Sequence, residues 1–194
     1  VTDSASGGYL APTSTAPAAD DALEDQIQAA IVGVTALQGK MVRPAWQPNP
    51  PAKEDLTVNW CSYRITTSDA HWLPSIVHHP DGEGTDEATR QEELEILASF
   101  YGPDAFAYAT RMRDGLAIPQ NQEALRAQGF GFLECSRIWA APDFVNNQWV
   151  RRQDLRFKLN RAVTRVYAVR NLLSAEGSIT EDGGNTTTWN TENT

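Results

Sequence analysis

The stretch ATRQEELEILASFY, residues 88–101, decides the fold. Its Ala and Glu residues suit a helix. Yet Glu92, Leu94, Ile96, Ala98 and Phe100 fall on every second position, the period of a strand with one buried face. Gly102-Pro103 ends the run abruptly, so a strand fits better, and a helix is expected to start at Pro103. That helix carries Asp104 in its first turn, with Phe106, Ala109, Met112 and Leu116 as its expected core stripe. Pro119 should stop it, and a short second helix over 121–128 should close at Gly129.

On the C-terminal side, FGFLECSRIW (130–139) alternates, as does QWVRRQDLRFKLNRAVTRVYAV (148–169). In the latter, Leu155, Phe157 and Leu159 point one way, while Asp154, Arg156, Lys158 and Asn160 point the other. This run reads as a strand pair or one bent strand, after the loop AAPDFVNN. On the N-terminal side, TVNWCSYRITT (57–67) is β-branched and aromatic, hence a strand. HWLPSIVHH (71–79) is a second strand, held to an edge by Pro74, and PDGEGTDE (80–87) is a turn or loop tip.

Before these lies VRPAWQPNPPAKED (42–55), where Pro44, Pro48, Pro50 and Pro51 forbid helix and central strand. Trp46 should pin this extended loop to the body. The body opens with a helix: Asp20 or Asp21 as cap, Leu23, Ile27, Ala30, Ile31, Val34 and Leu37 as one apolar stripe, and Gly39 as C-cap. The order of elements predicts an α+β domain, a mixed or antiparallel sheet with hairpins and helices packed on one face. Residues 1–19 read as a flexible arm, 20–179 as a single domain and 180–194 as a flexible tail with Trp189 alone able to anchor it.

The chain has 194 residues with 16 basic and 25 acidic side chains, a formal charge of −9. Such a balance disfavours wrapping nucleic acid through its phosphates. No apolar run is long enough for a transmembrane helix, and the first residues lack the basic and apolar regions of a secretory signal. Two cysteines make no disulfide framework, so a reduced, intracellular protein is expected. Charge is uneven. Between Arg137 and Arg170 eight basic residues face only Asp143 and Asp154, whereas the remainder holds eight basic and twenty-three acidic residues. A basic edge on an acidic body is complementary to a second copy of itself, and thirteen of the sixteen basic residues are Arg, the type favoured in interface ion pairs. A plain solvated face competes with this reading.

Candidate chemistry is sparse. His71, His78 and His79 precede Asp81, Glu83 and Asp86 and suggest a metal site, but adjacent His residues on a strand point to opposite faces. A solvated hairpin loop is the simpler account, and no metal or other cofactor is expected. Cys61 and Cys135 read as buried thiols, Glu92, Glu93 and Glu95 as a solvated face, and no P-loop, GxSxG or HExxH motif is present. The chain is therefore not expected to be an enzyme.

The runs RPAWQPNPP, NWCSYRI, EELEILASFYGPDAFAYATRMRDGLAIPQNQEAL, FVNNQWVRRQDLRFKLNR and RVYAVRNLLSAEGSI together resemble the neck terminator (tail terminator-like) proteins of tailed bacteriophages, from about Arg43 to Ile179. The resemblance implies a structural virion protein at the head–tail junction, assembled in the host cytoplasm. It implies a homo-hexameric ring that caps the tail tube and joins it to the head–tail connector or collar proteins, and that can also meet a tail sheath. Genomic DNA would pass through the lumen unread, with no membrane and no cofactor involved. A head-completion or stopper protein is the nearest alternative, and a small metal-dependent enzyme using the three His and Asp81 is the alternative of another class. Physical argument adds contact sites. Arg151, Arg152, Arg156 and Lys158 should face a neighbouring subunit or the tube. Trp46, Pro48 and Pro50 should form a stiff contact arm, and Asp81, Glu83, Asp86 and Glu87 an acidic loop for a partner.

Overall fold

The computed structural model describes residues 3–145, 147–172 and 174–192. It has mixed α+β content, with no barrel. The chain divides into two compact units: a larger one, residues 17–74 and 90–163, and a smaller one, residues 1–16, 75–89 and 164–194.

The larger unit begins with α1 (Asp20–Thr35), whose Leu23, Ile27, Ala30 and Ile31 are buried as the apolar stripe requires. Its caps differ from expectation. Ala19 takes the N-cap position without a side-chain bond, so Asp20 and Asp21 serve in the first turn, where the helix dipole favours carboxylates. Ala36, in the left-handed region at φ 59°, ends the helix instead of Gly39, which opens a short 3-10 turn. Strand β1 (Val42–Pro44) then runs parallel to β2 (Trp60–Ala70), so the first residues of the Pro-rich segment do enter a sheet, but at its edge, where a proline is tolerated.

After β3 (Ser75–His79) comes β4 (Thr85–Tyr101), the stretch read above as a strand. Leu94, Ile96, Ala98 and Phe100 are all buried. Next come α2 (Ala105–Leu116) and α3 (Pro119–Ala127). The buried stripe of α2 is Ala105, Ala109, Met112 and Leu116, and Phe106 is 59% exposed. Helical spacing puts Ala105, not Phe106, four residues before Ala109. Pro119 starts α3 where the sequence suggested a stop, because a first-turn proline gives up no hydrogen bond.

Strands β5 (Phe130–Cys135), β6 (Trp139–Ala140), β7 (Asp143–Val145), β8 (Gln148–Val150) and β9 (Arg152–Tyr167) follow. The supposed loop before β8 holds β7, and the two pair as a hairpin. The strand order in the sheet is β1-β2-β4-β9-β5, with β6 also on β9. Glu92 pairs with Arg161 and Glu95 with Arg156, so partners fall in β9 as they rise in β4, the signature of an antiparallel neighbour. One sheet face meets all three helices in a single core that includes Tyr63, Phe100, Phe130, Leu155, Phe157 and Leu159.

The smaller unit contains β3 paired antiparallel with the start of β4, from Ser75↔Thr89 to His79↔Thr85. The N-terminal arm runs beside the end of β9: the Thr13 amide donates to the Val166 carbonyl at 2.7 Å, and Asp3 accepts from Arg170. Strands β10 (Ser174–Thr180) and β11 (Thr186–Glu192) form a separate two-stranded hairpin. Polar composition alone suggested a flexible tail over 180–194; residues 186–192 pair with 174–180, threonine being a good strand former, and Trp189 stacks across the ribbon opposite Gly177.

Candidate functional site

Among the described residues of the larger unit all three helices join the core on one face of the sheet, and the side chains of the other face come from the alternate positions of β2, β4 and β9. Trp60 of β2 and Tyr101 of β4 are register partners, and their rings stack with centroids 4.2 Å apart and planes 7° from parallel. Arg152 lies over the Tyr101 ring at 5.8 Å and forks onto Asp154 at 2.7 and 2.8 Å, with Asp143 at 3.3 Å. Arg156 is 3.7 Å from Glu95 and 5.7 Å from the Trp139 ring, which Arg137 approaches from 5.4 Å. Lys158 bonds Glu134 at 2.7 Å, and that hydrogen bond holds its ammonium above the usual lysine range.

Arg152, Arg156 and Lys158 alternate in β9 with the buried Leu155, Phe157 and Leu159, and each already has a carboxylate within the chain. Arg151 is exposed and donates to the Pro103 carbonyl at 2.6 Å, helping to fix the entry to α2.

The Pro-rich loop stands over one end of this face. Trp46 is 76% exposed, so it does not pin the loop by burial. The loop is held instead by the Ala45 amide on the Tyr63 carbonyl at 2.7 Å, by the Arg43–Glu54 ion pair, and by Arg64 lying 5.0 Å from the Trp46 ring. Trp46 sits at φ 61°, a left-handed conformation that disfavours a bulky residue. Pro48 and Pro50 are exposed beside it. Between the loop and the sheet lies a groove of about 350 Å³, lined by Trp46, Trp60, Tyr101 and Leu97 with Arg43, Lys53, Arg64 and Arg152. Sequence reading missed this groove. Its signal was the outward set Trp60, Ser62 and Arg64 against Leu97, Ser99 and Tyr101, visible only once β2 and β4 are known to be neighbours.

In the smaller unit Asp81 and Glu83 are exposed at the β3–β4 turn. Asp86 is 2.6 Å from His78 Nδ1, and Glu87 is 3.7 Å from His79. His78 Nε2 meets Asn171 Oδ1 at 2.7 Å. Both ring nitrogens of His78 are thus committed, one to Asp86 of β4 and one to Asn171 beyond β9, and strand alternation sends His79 to the other face of β3. Among the described residues no group of three or more His, Cys, Asp or Glu is arranged to hold a metal ion. Cys61 is fully buried, and burial drives its thiol pKa far upward; burial pushes Cys135 up to about 11. Neither thiol is poised as a nucleophile.

An uncovered face of arginines and large aromatic rings, with no grouping of reactive side chains, is the composition of a protein contact surface. The sequence model of one protein family, described as phage neck terminator protein, matches residues 21–184. The chain belongs to that family. No curated protein matches it. As a neck terminator it is a structural component of the bacteriophage neck, located in the virion, and it interacts with other head–tail proteins. No described helix is long and apolar enough to cross a membrane.

Proposed function

We propose that this neck terminator forms a homo-hexameric ring that closes the upper end of the tail tube and presents a docking face to the head–tail connector. The observation that carries the reading is the uncovered sheet face of the larger unit. It places Arg152 and Arg156 beside Tyr101 and Trp139, with Trp60 stacked on Tyr101, residue types that dominate binding energy at interfaces. Exchanging an intrachain carboxylate for one on a neighbour costs little at the more exposed Arg156 and Lys158, so their ion pairs do not prevent these two residues from meeting a second subunit. Trp46, Pro48 and Pro50 form a contact arm that loses little entropy on docking, since prolines have already fixed much of its backbone. The exposed Asp81 and Glu83 are available to a basic partner surface.

A net charge of −9 suits the lumen of such a ring. Carboxylates facing the channel repel phosphates, so DNA passes without being held. Assembly takes place in the host cytoplasm, and the tail tube, the connector or collar proteins and, in a contractile tail, the sheath are the neighbours.

Imaging of particles from a phage lacking this gene tests the assignment. The expected result is tails of abnormal length, or tails unjoined to filled heads. Leaky heads beside tails of normal length would instead assign the chain as a head-completion or stopper protein.

A further inference from the structure

We infer that the groove under the Pro-rich loop receives the β10–β11 hairpin of a second copy of this chain. The inference rests on the self-association proposed above and identifies one of its contacts.

The hairpin is incomplete as a folded element. It is a sheet of two strands only, and none of residues 174–190 is buried. An isolated two-stranded ribbon is marginal in water and needs a further strand or a packed face to persist. It has such a face to offer. Register pairs Gly177 with Trp189 and Ile179 with Thr187, which puts Ala175, Ile179 and Trp189 on one side. Trp189 lies flat over Gly177, where a Cβ would come within 2.5 Å of the indole, and Ile179 remains 63% exposed. The opposite side carries Glu176, Ser178, Thr188 and Asn190. From Asn171 onward the sequence contains Glu176, Glu181, Asp182 and Glu192 and no basic residue, so like charge opposes pairing of one hairpin with another.

The groove has the complementary character. Its floor is the Trp60–Tyr101 stack with Leu97, and its roof is the exposed, strained Trp46. The charged side chains that line it are Arg43, Lys53, Arg64 and Arg152, with no carboxylate among them. Arg43, Arg64 and Arg152 have partners in Glu54, Glu24 and Asp154, whereas Lys53 has no ion pair among the described residues. At about 350 Å³ the cavity admits a side chain or two, which fits insertion of Trp189 and Ile179 while the ribbon lies across the sheet. Seven-residue strands extend roughly 24 Å, enough to cross strands spaced about 4.8 Å apart. Apolar side chains then enter the aromatic slot, and Glu181, in the turn that joins the two strands, reaches the cationic rim.

The test uses full-length protein, half of it isotope-labelled, mixed at a concentration where it associates and treated with a carbodiimide. The expected product is an amide between Lys53 and Glu181 that joins labelled to unlabelled chains. Links confined to chains of one label, or no link at Lys53 in the associated sample, would overturn the inference. Lys53→Glu alters an exposed residue outside the hairpin and retains the fold. Trp189→Ala also removes the ring stacked on Gly177, so Ile179→Ala, which leaves that stack in place, is measured beside it and is expected to weaken association as well. Each is expected to weaken association at least tenfold, and Glu181→Lys is expected to restore part of the loss in the Lys53→Glu background. If wild type associates and all three variants associate as tightly, the hairpin contact is wrong and the ring reading survives. If wild type does not associate at any concentration, both fail. Binding of a single-stranded DNA oligonucleotide that Lys53→Glu abolishes, with association unchanged, would assign the groove to nucleic acid and overturn the inference.

Discussion

His78 has acceptors on both sides of its ring. Asn171 Nδ2 donates to the carbonyls of Pro80 and Gly82, so the oxygen of that amide is the atom facing His78, and the Asp86 carboxylate faces the other nitrogen. Two acceptors call for two donors, which only the imidazolium supplies. The hydrogen bonds to Asp86 and Asn171 accordingly raise the pKa of His78 above its ordinary value. The stabilisation is fully present below the unfolded pKa of about 6.5 and is lost as pH rises through the higher folded value. NMR titration should find His78 above 6.5, with amide protection in the β3–β4 turn falling through that same midpoint; an unshifted or lowered midpoint would contradict the geometry. Gly102 is constrained differently. At φ 105° a Cβ would lie 2.5 Å from the Val58 carbonyl oxygen, just before Asn59 caps the start of α2 through the Asp104 amide at 2.9 Å. Gly102→Ala should cost about 2 kcal/mol or more in urea unfolding. The buried Cys61 should resist thiol reagents at pH 8 in the native protein and react on unfolding; rapid native modification would place it at the surface.

Elements whose two faces differ in chemistry were legible from sequence, and elements defined by their neighbours were not. Alternation alone gave β4 and the buried side of β9, because burial on one face forces a period of two. Helix caps were misassigned, since the choice between Gly39 and Ala36 depends on where the chain turns into β1, a tertiary matter. The stripe of α2 was misplaced by favouring the large Phe106 over the small Ala105, although the small residue is the one that allows close approach to the sheet. The C-terminal hairpin was invisible because its threonines carry no hydrophobic period and its order comes from strand pairing. The groove was equally hidden, being made by residues of four separated strands and a loop. Truncation experiments separate the two faces of β9. Phe157→Ala should lose about 3–5 kcal/mol of stability. Lys158→Ala, one position on and paired only at the surface, should lose less than about 1 kcal/mol. Equal losses would mean that the outward face is also packed within the monomer.

For the whole molecule, charge and surface chemistry describe a part that works by fitting against other parts. The basic β9 segment and the acidic remainder, the uncovered aromatic face and the exposed hairpin are features that a solitary protein has no use for. The family match supplies the setting, and the geometry suggests which surfaces are used there. Density for the intact phage neck, at a resolution that traces side chains, tests this most directly. The account predicts six copies of this chain in a ring at the top of the tail tube, with the Trp46 groove and the outward face of β9 buried between subunits. A copy number other than six, or a ring in which those faces point into solvent, would contradict it.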